Sequence, residues 1–375
     1  MKLPVRMMAS AIERVHAGDE LKYSLDRPRR YSVIDGPALI AGWAWPVSDT
    51  ATVVLRRGDR ILGTVPVSLP RPDVVRRFGL PADATPGFRI PFPALAQGRQ
   101  RLTLELRDGG SALMLVHLTA EPVELTLPRR TFYMHVAKTA GSSVNDFFGD
   151  RLGAAACAFH IESDQRWRSE RGIAELAKLP FVSGHIRLAE FRRRLPHSEY
   201  LLVATVREPV SQLISHLAWI RALAEPGSEW RLAAHSPHVQ RLASLLSSLQ
   251  IETPDGIRAL IERMAPHDRV LLDNCQTRYF MAGSGGDGVV QADLESAIEG
   301  SAEFALIGNS DDLGGFLAGC CRRLALAPPS RDLAPRSNVA RSRYGMSAES
   351  VDWVEAVDPL IRFDRALFEH VHKAR

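Results

Sequence analysis

Lys138 is one of only five lysines among 47 basic residues, and it stands in a loop of small side chains. The segment Thr131–Ser143, TFYMHVAKTAGSS, reads as a buried strand (Thr131–Val136) running into that loop, with a helix over Val144–Leu152 directly behind it. Small side chains let several backbone N–H groups converge on one anion, and a helix N-terminus adds its dipole. In such a loop Lys138 supplies a mobile point charge. Thr139, Ser142 and Ser143 supply hydroxyl donors, and Ala140 and Gly141 leave the backbone approachable. The plainer alternative is an ordinary helix cap at Ser142 or Ser143. A nucleotide-triphosphate loop needs GxxxxGKS or GxxxxGKT, with the lysine after the second glycine. Here Lys138 precedes the only loop glycine, Gly141, which argues against a kinase or ATPase.

Two further strand ends carry groups suited to the same chemistry. The apolar run Tyr200–Val206 ends at Arg207, where a guanidinium can grip a phosphate bidentately; the alternative is a surface ion pair. Ser215, about two turns into the following helix (Val210–Leu223), would add a hydroxyl. The short run Phe181–Gly184 ends at His185, on the edge where open α/β sheets place their ligands. An imidazole with an ordinary pKa of about 6.5 suits a general base at neutral pH, although a lone histidine is often structural. If His185 is not the base, Glu162 and His160 are the next candidates. No His, Asp or Glu cluster has metal-ligand spacing, so no metal is expected.

These residues need an α/β scaffold, and the chain changes character near Pro128 to provide one. Beyond it, strands (Thr131–Val136, Tyr200–Val206, Phe304–Ile307) alternate with helical stretches (Val144–Leu152, Val210–Leu223, 237–282, Asp311–Leu324, 347–372), which predicts a largely parallel sheet. Before it, short alternating runs at Ala38–Trp45, Thr52–Leu55, Ile61–Val67, Phe88–Phe92, Leu102–Leu106 and Leu113–Leu118 are separated by turn chemistry. The turns are Arg57-Gly58-Asp59, Pro70-Arg71-Pro72-Asp73, Pro86-Gly87 and Asp108-Gly109-Gly110. That pattern predicts an all-β antiparallel sandwich over 31–127, preceded by an N-terminal segment 1–30 and followed by the α/β domain 128–375. Trp43 and Trp45 share a sheet face, either as a core pair or as a platform for stacking sugars.

His135-Val136-Ala137-Lys138-Thr139-Ala140-Gly141-Ser142-Ser143 resembles the 5′-phosphosulfate loop of the carbohydrate sulfotransferases that use PAPS, 3′-phosphoadenosine 5′-phosphosulfate. Three more segments are similar to that family, in the same order. Phe181-Val182-Ser183-Gly184-His185 resembles the strand-end Gly-His of the heparan sulfate 2-O-sulfotransferase type. Thr205-Val206-Arg207-Glu208-Pro209-Val210, with Ser215-His216, resembles the 3′-phosphate motif. Asn274-Cys275-Gln276-Thr277-Arg278-Tyr279 resembles a segment of the bacterial branch. The likeness spans roughly 130–370, with departures at Ala137 (usually Pro), Ala140 (often Gly) and Glu208 (usually Asp). It implies a sulfotransferase fold, a P-loop-NTPase-like parallel sheet flanked by helices, with PAPS as co-substrate. Lys138, Thr139, Ala140, Gly141, Ser142, Ser143, Arg207, Ser215, Arg341 and Arg343 would bind PAPS. Lys138 would also stabilise the leaving group, and His185 would be the base. Arg187, Gln276 and Arg278 are candidates for the acceptor side, although the run of arginines around Arg187 also fits a solvated face. A solvated loop is the alternative for Arg341 and Arg343. In the first region, Gly42-Trp43-Ala44, Arg71-Pro72-Asp73-Val74 and Gly87-Phe88 resemble small β-sandwich modules attached to bacterial carbohydrate-modifying enzymes.

Composition bounds the rest. With 375 residues, 45% apolar and 24% charged, the chain holds enough apolar surface for one large or two ordinary domains. Residues 1–128 carry 17 basic and 13 acidic side chains and residues 129–375 carry 30 of each, so neither part has the basic face of a nucleic-acid binder. No apolar run approaches the roughly 18 residues of a membrane span. Four cysteines without bridge or zinc spacing (Cys157, Cys275, Cys320, Cys321), and a charged N-terminus, predict a cytoplasmic protein. The preference for arginine over lysine is typical of GC-rich bacterial genomes, which suits a bacterial carbohydrate or glycolipid acceptor. A rival reading is an inactive glycan-binding protein that uses the sandwich.

Overall fold

A computed structural model describes residues 1–3, 5–17, 20–34, 38–93, 98–283, 285–329 and 344–373. The chain divides into two compact units, one of Met1–Leu127 with Asp146–Cys157, the other of Pro128–Asn145 with Ala158–Arg375.

The first unit contains β1 (Arg6–Ala17), β2 (Lys22–Arg27), β3 (Val33–Ile34), β4 (Leu39–Trp45), β5 (Thr52–Arg57), β6 (Arg60–Pro66), β7 (Gly87–Pro91), β8 (Gln100–Asp108) and β9 (Ser111–Val123). They form a six-stranded sheet, β3-β1-β9-β8-β5-β6, and a three-stranded one, β2-β4-β7, with antiparallel neighbours throughout. Period-two alternation sends Leu102, Leu104 and Leu106 of β8 and Met114, Val116 and Leu118 of β9 to one face. There they share a core with Ile40 and Ala44 of β4 and Phe88 and Ile90 of β7. Gly109 and Gly110 both take positive φ (54° and 85°) in the tight turn from β8 to β9, a conformation that a Cβ would strain. Trp43 is buried at 7% exposure and lies 5.1 Å from the Phe78 ring, so this indole belongs to the core.

Three expectations need correction here. Residues 1–30 do not precede the β structure: they supply β1, paired along its length with β9, and β2. Two bulges in β1, between Ala9 and Ala11 and between Arg14 and His16, break the alternation that would have revealed it. The expected turn at Pro70–Asp73 instead starts a helix, Pro72–Phe78, with proline at its first position and Arg71 bridging Asp26 and Asp73. Finally, Asp146–Cys157 groups with this unit: Asp150 pairs with Arg29 at 3.5 Å, and Arg151 donates to the Arg30 carbonyl at 3.1 Å.

The second unit is built on β10 (Arg130–Met134), β11 (Cys157–Ala158), β12 (Phe181–Gly184), β13 (Tyr200–Val206) and β14 (Leu306–Asn309), in the order β11-β12-β10-β13-β14. The pairs β10/β12, β10/β13 and β13/β14 are parallel. Strands covered on both faces read as continuous apolar runs, which is why Tyr200–Val206 was legible to its ends. Helices flank the sheet, among them Pro209–Ala222, Leu313–Leu324 and the 23-residue Val351–Lys373. From β10 the chain moves to β12 on one side and then to β13 on the other. That reversal opens a crevice at the carboxyl ends of β10 and β13. Among the described residues, no helix is long and apolar enough to cross a membrane.

Candidate functional site

Parallel pairing brings the ends of β10, β12, β13 and β14 to one edge, so the loop after Met134, His185, Arg207 and Ser310 meet there. A cavity of about 680 Å³ occupies this edge. It is lined by Lys138, Ala140, Gly141, Ser142 and Ser143 of the loop, and by His135, His160 and His185. Arg207, Ser215, His216, Trp219, Ser310 and Asp311 complete most of its wall. A cavity of this size is typical of small-ligand sites. A groove of about 910 Å³ near Arg130, Arg168 and Glu199 is larger. It is open rather than convergent, with Arg130 paired to Glu199 and Arg194 to Glu190.

The loop is tightly braced. Lys138 (φ 64°) and Ala140 (φ 69°) both take the left-handed conformation, which costs a residue with a Cβ roughly 1–2 kcal/mol. Gln212 donates to the Ala137 carbonyl at 2.9 Å. Gly141 lies against the His135 ring so closely that a Cβ there would sit 1.9 Å from it, so only glycine fits. Thr139 departs from the role of ligand donor. Its side chain is fully buried, donates to the Val136 carbonyl at 2.9 Å and meets the Thr205 hydroxyl at 3.0 Å. It anchors the loop to β13.

The electrostatics favour an anion. Burial, then the charges of Arg207 and Arg231, push the Lys138 ammonium below its ordinary pKa, and a bound anion would relieve that penalty. The Lys138 ammonium lies 5.5 Å from the centre of the Trp219 ring. Arg207 is held by a reciprocal pair of hydrogen bonds: its N–H donates to Gln276 Oε1 at 2.8 Å, and Gln276 Nε2 donates to its carbonyl at 2.9 Å. Glu208, unusual at its place in the motif, caps the next helix by accepting from the Val210 and Ser211 N–H groups. Ser215, His216 and Trp219 fall on one face of that helix, which turns them together into the cavity. Burial, then Lys138 and His185, hold His216 down at about 3, so it stays neutral.

His185 Nδ1 donates to the His135 carbonyl at 2.6 Å, which leaves Nε2 as the lone-pair nitrogen. Crowding by protein lowers its pKa against the opposing pull of Glu162. Glu162 accepts from the His185 N–H at 2.9 Å and lies 3.4 Å from His160 Nδ1. Burial opposes ionisation of Glu162, but His160, His185 and nearby N–H groups together hold its carboxyl below the usual range. Burial, then His185, His160 and Lys138, push His135 down to about 2.

Several expected residues lie elsewhere. Gln276 is a buried brace on Arg207 rather than a wall of the acceptor site. Arg278, 1% exposed, pairs with Asp273 at 2.5 Å and donates to the Asp273, Gly286 and Asp287 carbonyls, so its charge is spent inside the protein. Arg187 is half-buried at the start of Leu188–Arg194 and does not line the cavity. Arg341 and Arg343 lie outside the described residues. The expectation of no metal-ligating cluster rested on spacing alone: His135, His160 and His185, far apart in sequence, each bring one nitrogen within 4.8 Å of the others. His160 and Trp219 are the other residues that sequence reasoning underweighted. Trp219 was findable from its position four residues after Ser215 on one helix.

No family model matches the sequence, and no curated protein is significantly similar to it. Among solved structures, chicken MD-1 complexed with lipid IVa is similar at 12% identity, over 32% of this chain and 96% of that one. The TM-score of 0.16 is too low to carry an assignment of fold or function.

Proposed function

We propose that the chain transfers a sulfuryl group from PAPS to a carbohydrate hydroxyl. The observation that carries this reading is the convergence of Lys138, Ser142, Ser143, Arg207, Ser215 and His185 on one cavity at the carboxyl edge of a parallel sheet. PAPS would supply the sulfuryl group, its bridging oxygen keeping the electron pair of the broken S–O bond as the acceptor oxygen bonds to sulfur. Lys138 and the N–H groups of the loop would neutralise the charge that grows on that oxygen, the role of cationic clamps in phosphoryl transfer. Arg207 and Ser215 would hold the 3′-phosphate, the group that separates PAPS from ordinary nucleotides. His185 Nε2, free because Nδ1 is committed to the His135 carbonyl, would take the proton of the attacking hydroxyl. The acceptor class this reading favours is a sugar of a bacterial glycan or glycolipid.

Ligand-induced shifts in melting temperature test it, since a ligand stabilises through its occupancy. Adenosine 3′,5′-bisphosphate should stabilise the chain more than AMP does. Arg207→Ala should lose about tenfold or more in affinity for the bisphosphate, a charge-assisted contact being worth roughly 1.5–3 kcal/mol, and far less for AMP. Equal losses for the two ligands would sink the assignment.

A further inference from the structure

We propose that His135, His160 and His185 form a binding site for a divalent transition-metal ion of the zinc class. One nitrogen from each lies within 4.8 Å of the other two, and all three line the cavity. Their ring centres are 4.1 Å (His135–His185), 5.3 Å (His135–His160) and 5.7 Å (His160–His185) apart. Zinc–nitrogen bonds of about 2.0–2.1 Å hold two ligand nitrogens no more than about 4.2 Å apart, so binding draws the rings in from separations of up to 4.8 Å.

The surroundings are those of a built site. A ligating histidine presents one nitrogen to the metal and has the other oriented by a carboxylate or a carbonyl. His185 Nδ1 donates to the His135 carbonyl at 2.6 Å, leaving Nε2. His160 Nδ1 faces Glu162 Oε1 at 3.4 Å, leaving its own Nε2. Glu162 Oε2 accepts from the His185 main-chain N–H at 2.9 Å, which fixes the carboxylate that faces the His160 ring and adds a negative charge beside the cluster. His135, 95% buried by its 5% exposure, has an Nδ1 with no hydrogen-bond partner. His160 takes φ 52°, a left-handed backbone uncommon for a residue with a Cβ. Three imidazoles select zinc, cobalt, nickel or copper over magnesium or calcium, and three protein ligands leave a fourth position open towards the cavity.

A second group, His238, His267 and Asp268, is a useful contrast. There both Asp268 oxygens already accept from Arg241, at 2.6 and 3.0 Å, so the carboxylate is neutralised. While an ion sits at the first cluster, the His185 lone pair is committed to it and is withdrawn from proton transfer. The site itself does not depend on the sulfuryl-transfer reading, because binding alone reveals it.

The test is a titration of the full chain, stripped with a chelator, with Co²⁺ followed by visible absorption. One equivalent should give a saturable tetrahedral band that Zn²⁺ displaces. His160→Gln and His185→Gln should each weaken binding at least tenfold, and Glu162→Gln by about 10–100-fold, as loss of an orienting partner does. His267→Gln should leave the band unchanged. Melting curves without metal check folding, and His160, an exposed side chain, decides the matter if His185→Gln does not fold. Absence of a saturable band in the wild type, or a band indifferent to His160→Gln, would overturn the proposal.

Discussion

In the antiparallel unit, β8 passes into β9 through Gly109 and Gly110 and β5 into β6 through Gly58 and Asp59, so strand ends are consumed in tight turns. In the parallel unit no strand can hand over to its neighbour that way. Each carboxyl end must open into a connection that travels back across the sheet. Met134, Gly184, Val206 and Asn309 therefore all release loops on one edge, and apart from His160, which follows β11, the ionisable residues of the cavity come from those loops and the elements behind them. Both units bury alternating or continuous apolar runs. Only the second, by its connectivity, leaves several strand ends free to converge, and this is why open parallel sheets so often carry sites at that edge.

Substitutions can break or sharpen this contrast. The largest effect expected from the proposed function is on turnover: His185→Ala should cut the proposed sulfuryl transfer by roughly 10²–10⁴ while leaving adenosine bisphosphate affinity nearly unchanged, the range for a positioned general base. Turnover above a tenth of wild type in steady-state assays would hand the role to His160 or Glu162. In the antiparallel unit Leu104→Ala should cost about 2–5 kcal/mol in chemical denaturation, because Leu104 is 2% exposed in the shared core. Its affinity for the bisphosphate should not move, since the cavity is lined from the other unit. A parallel loss of affinity would join what the contrast separates.

A smaller effect concerns the support behind Arg207. Asp364, buried behind the helix Cys275–Phe280, accepts from the Gln276 and Thr277 N–H groups and from the Thr277 hydroxyl. Burial raises its pKa from 3.8 to about 6 against those hydrogen bonds. The folded state thus holds this proton more tightly than the unfolded one, and its contribution to stability falls as pH rises from about 3.8 to about 6. Asp364→Asn should abolish that fall, so the stability difference between wild type and variant should change across this window and be flat above it. A difference constant throughout would mean that the buried carboxyl ionises as readily folded as unfolded. The smallest effect belongs to the loop. Ala140→Gly, at φ 69°, should be neutral or stabilising by up to about 1 kcal/mol in the same denaturation assay. A clear loss would show that the alanine methyl packs productively.

Much of the parallel unit was legible because its strands are apolar on both faces and its loops are marked by small residues and breakers. Tyr200–Val206 matched its boundaries, and the loop before Gly141 stood out by composition. The N-terminal strands were hidden because bulges shift their alternation, and Pro72 read as a turn where it opens a helix. Lys138, Arg207, Ser215 and His185 were named from type and position, and all four line the cavity. Thr139, named on the same grounds, and Gln276 and Arg278, named from the resemblance, point inward. A motif gives residue identity, whereas the direction of a side chain depends on which neighbour satisfies it.

By itself, then, the amino-acid sequence determined which segments are strands buried on two faces, where the chain changes from hairpins to alternating strands and helices, and which short loop can present backbone N–H groups. These follow from local pattern and from the few conformations that small residues permit. Tertiary structure alone decided that Thr139, Gln276 and Arg278 brace the site while Trp219 and His160 enter it. It also decided that three histidines from separate segments meet. Proximity across a sheet edge is set by strand order and parallel register, and neither is written in the spacing of the residues they bring together.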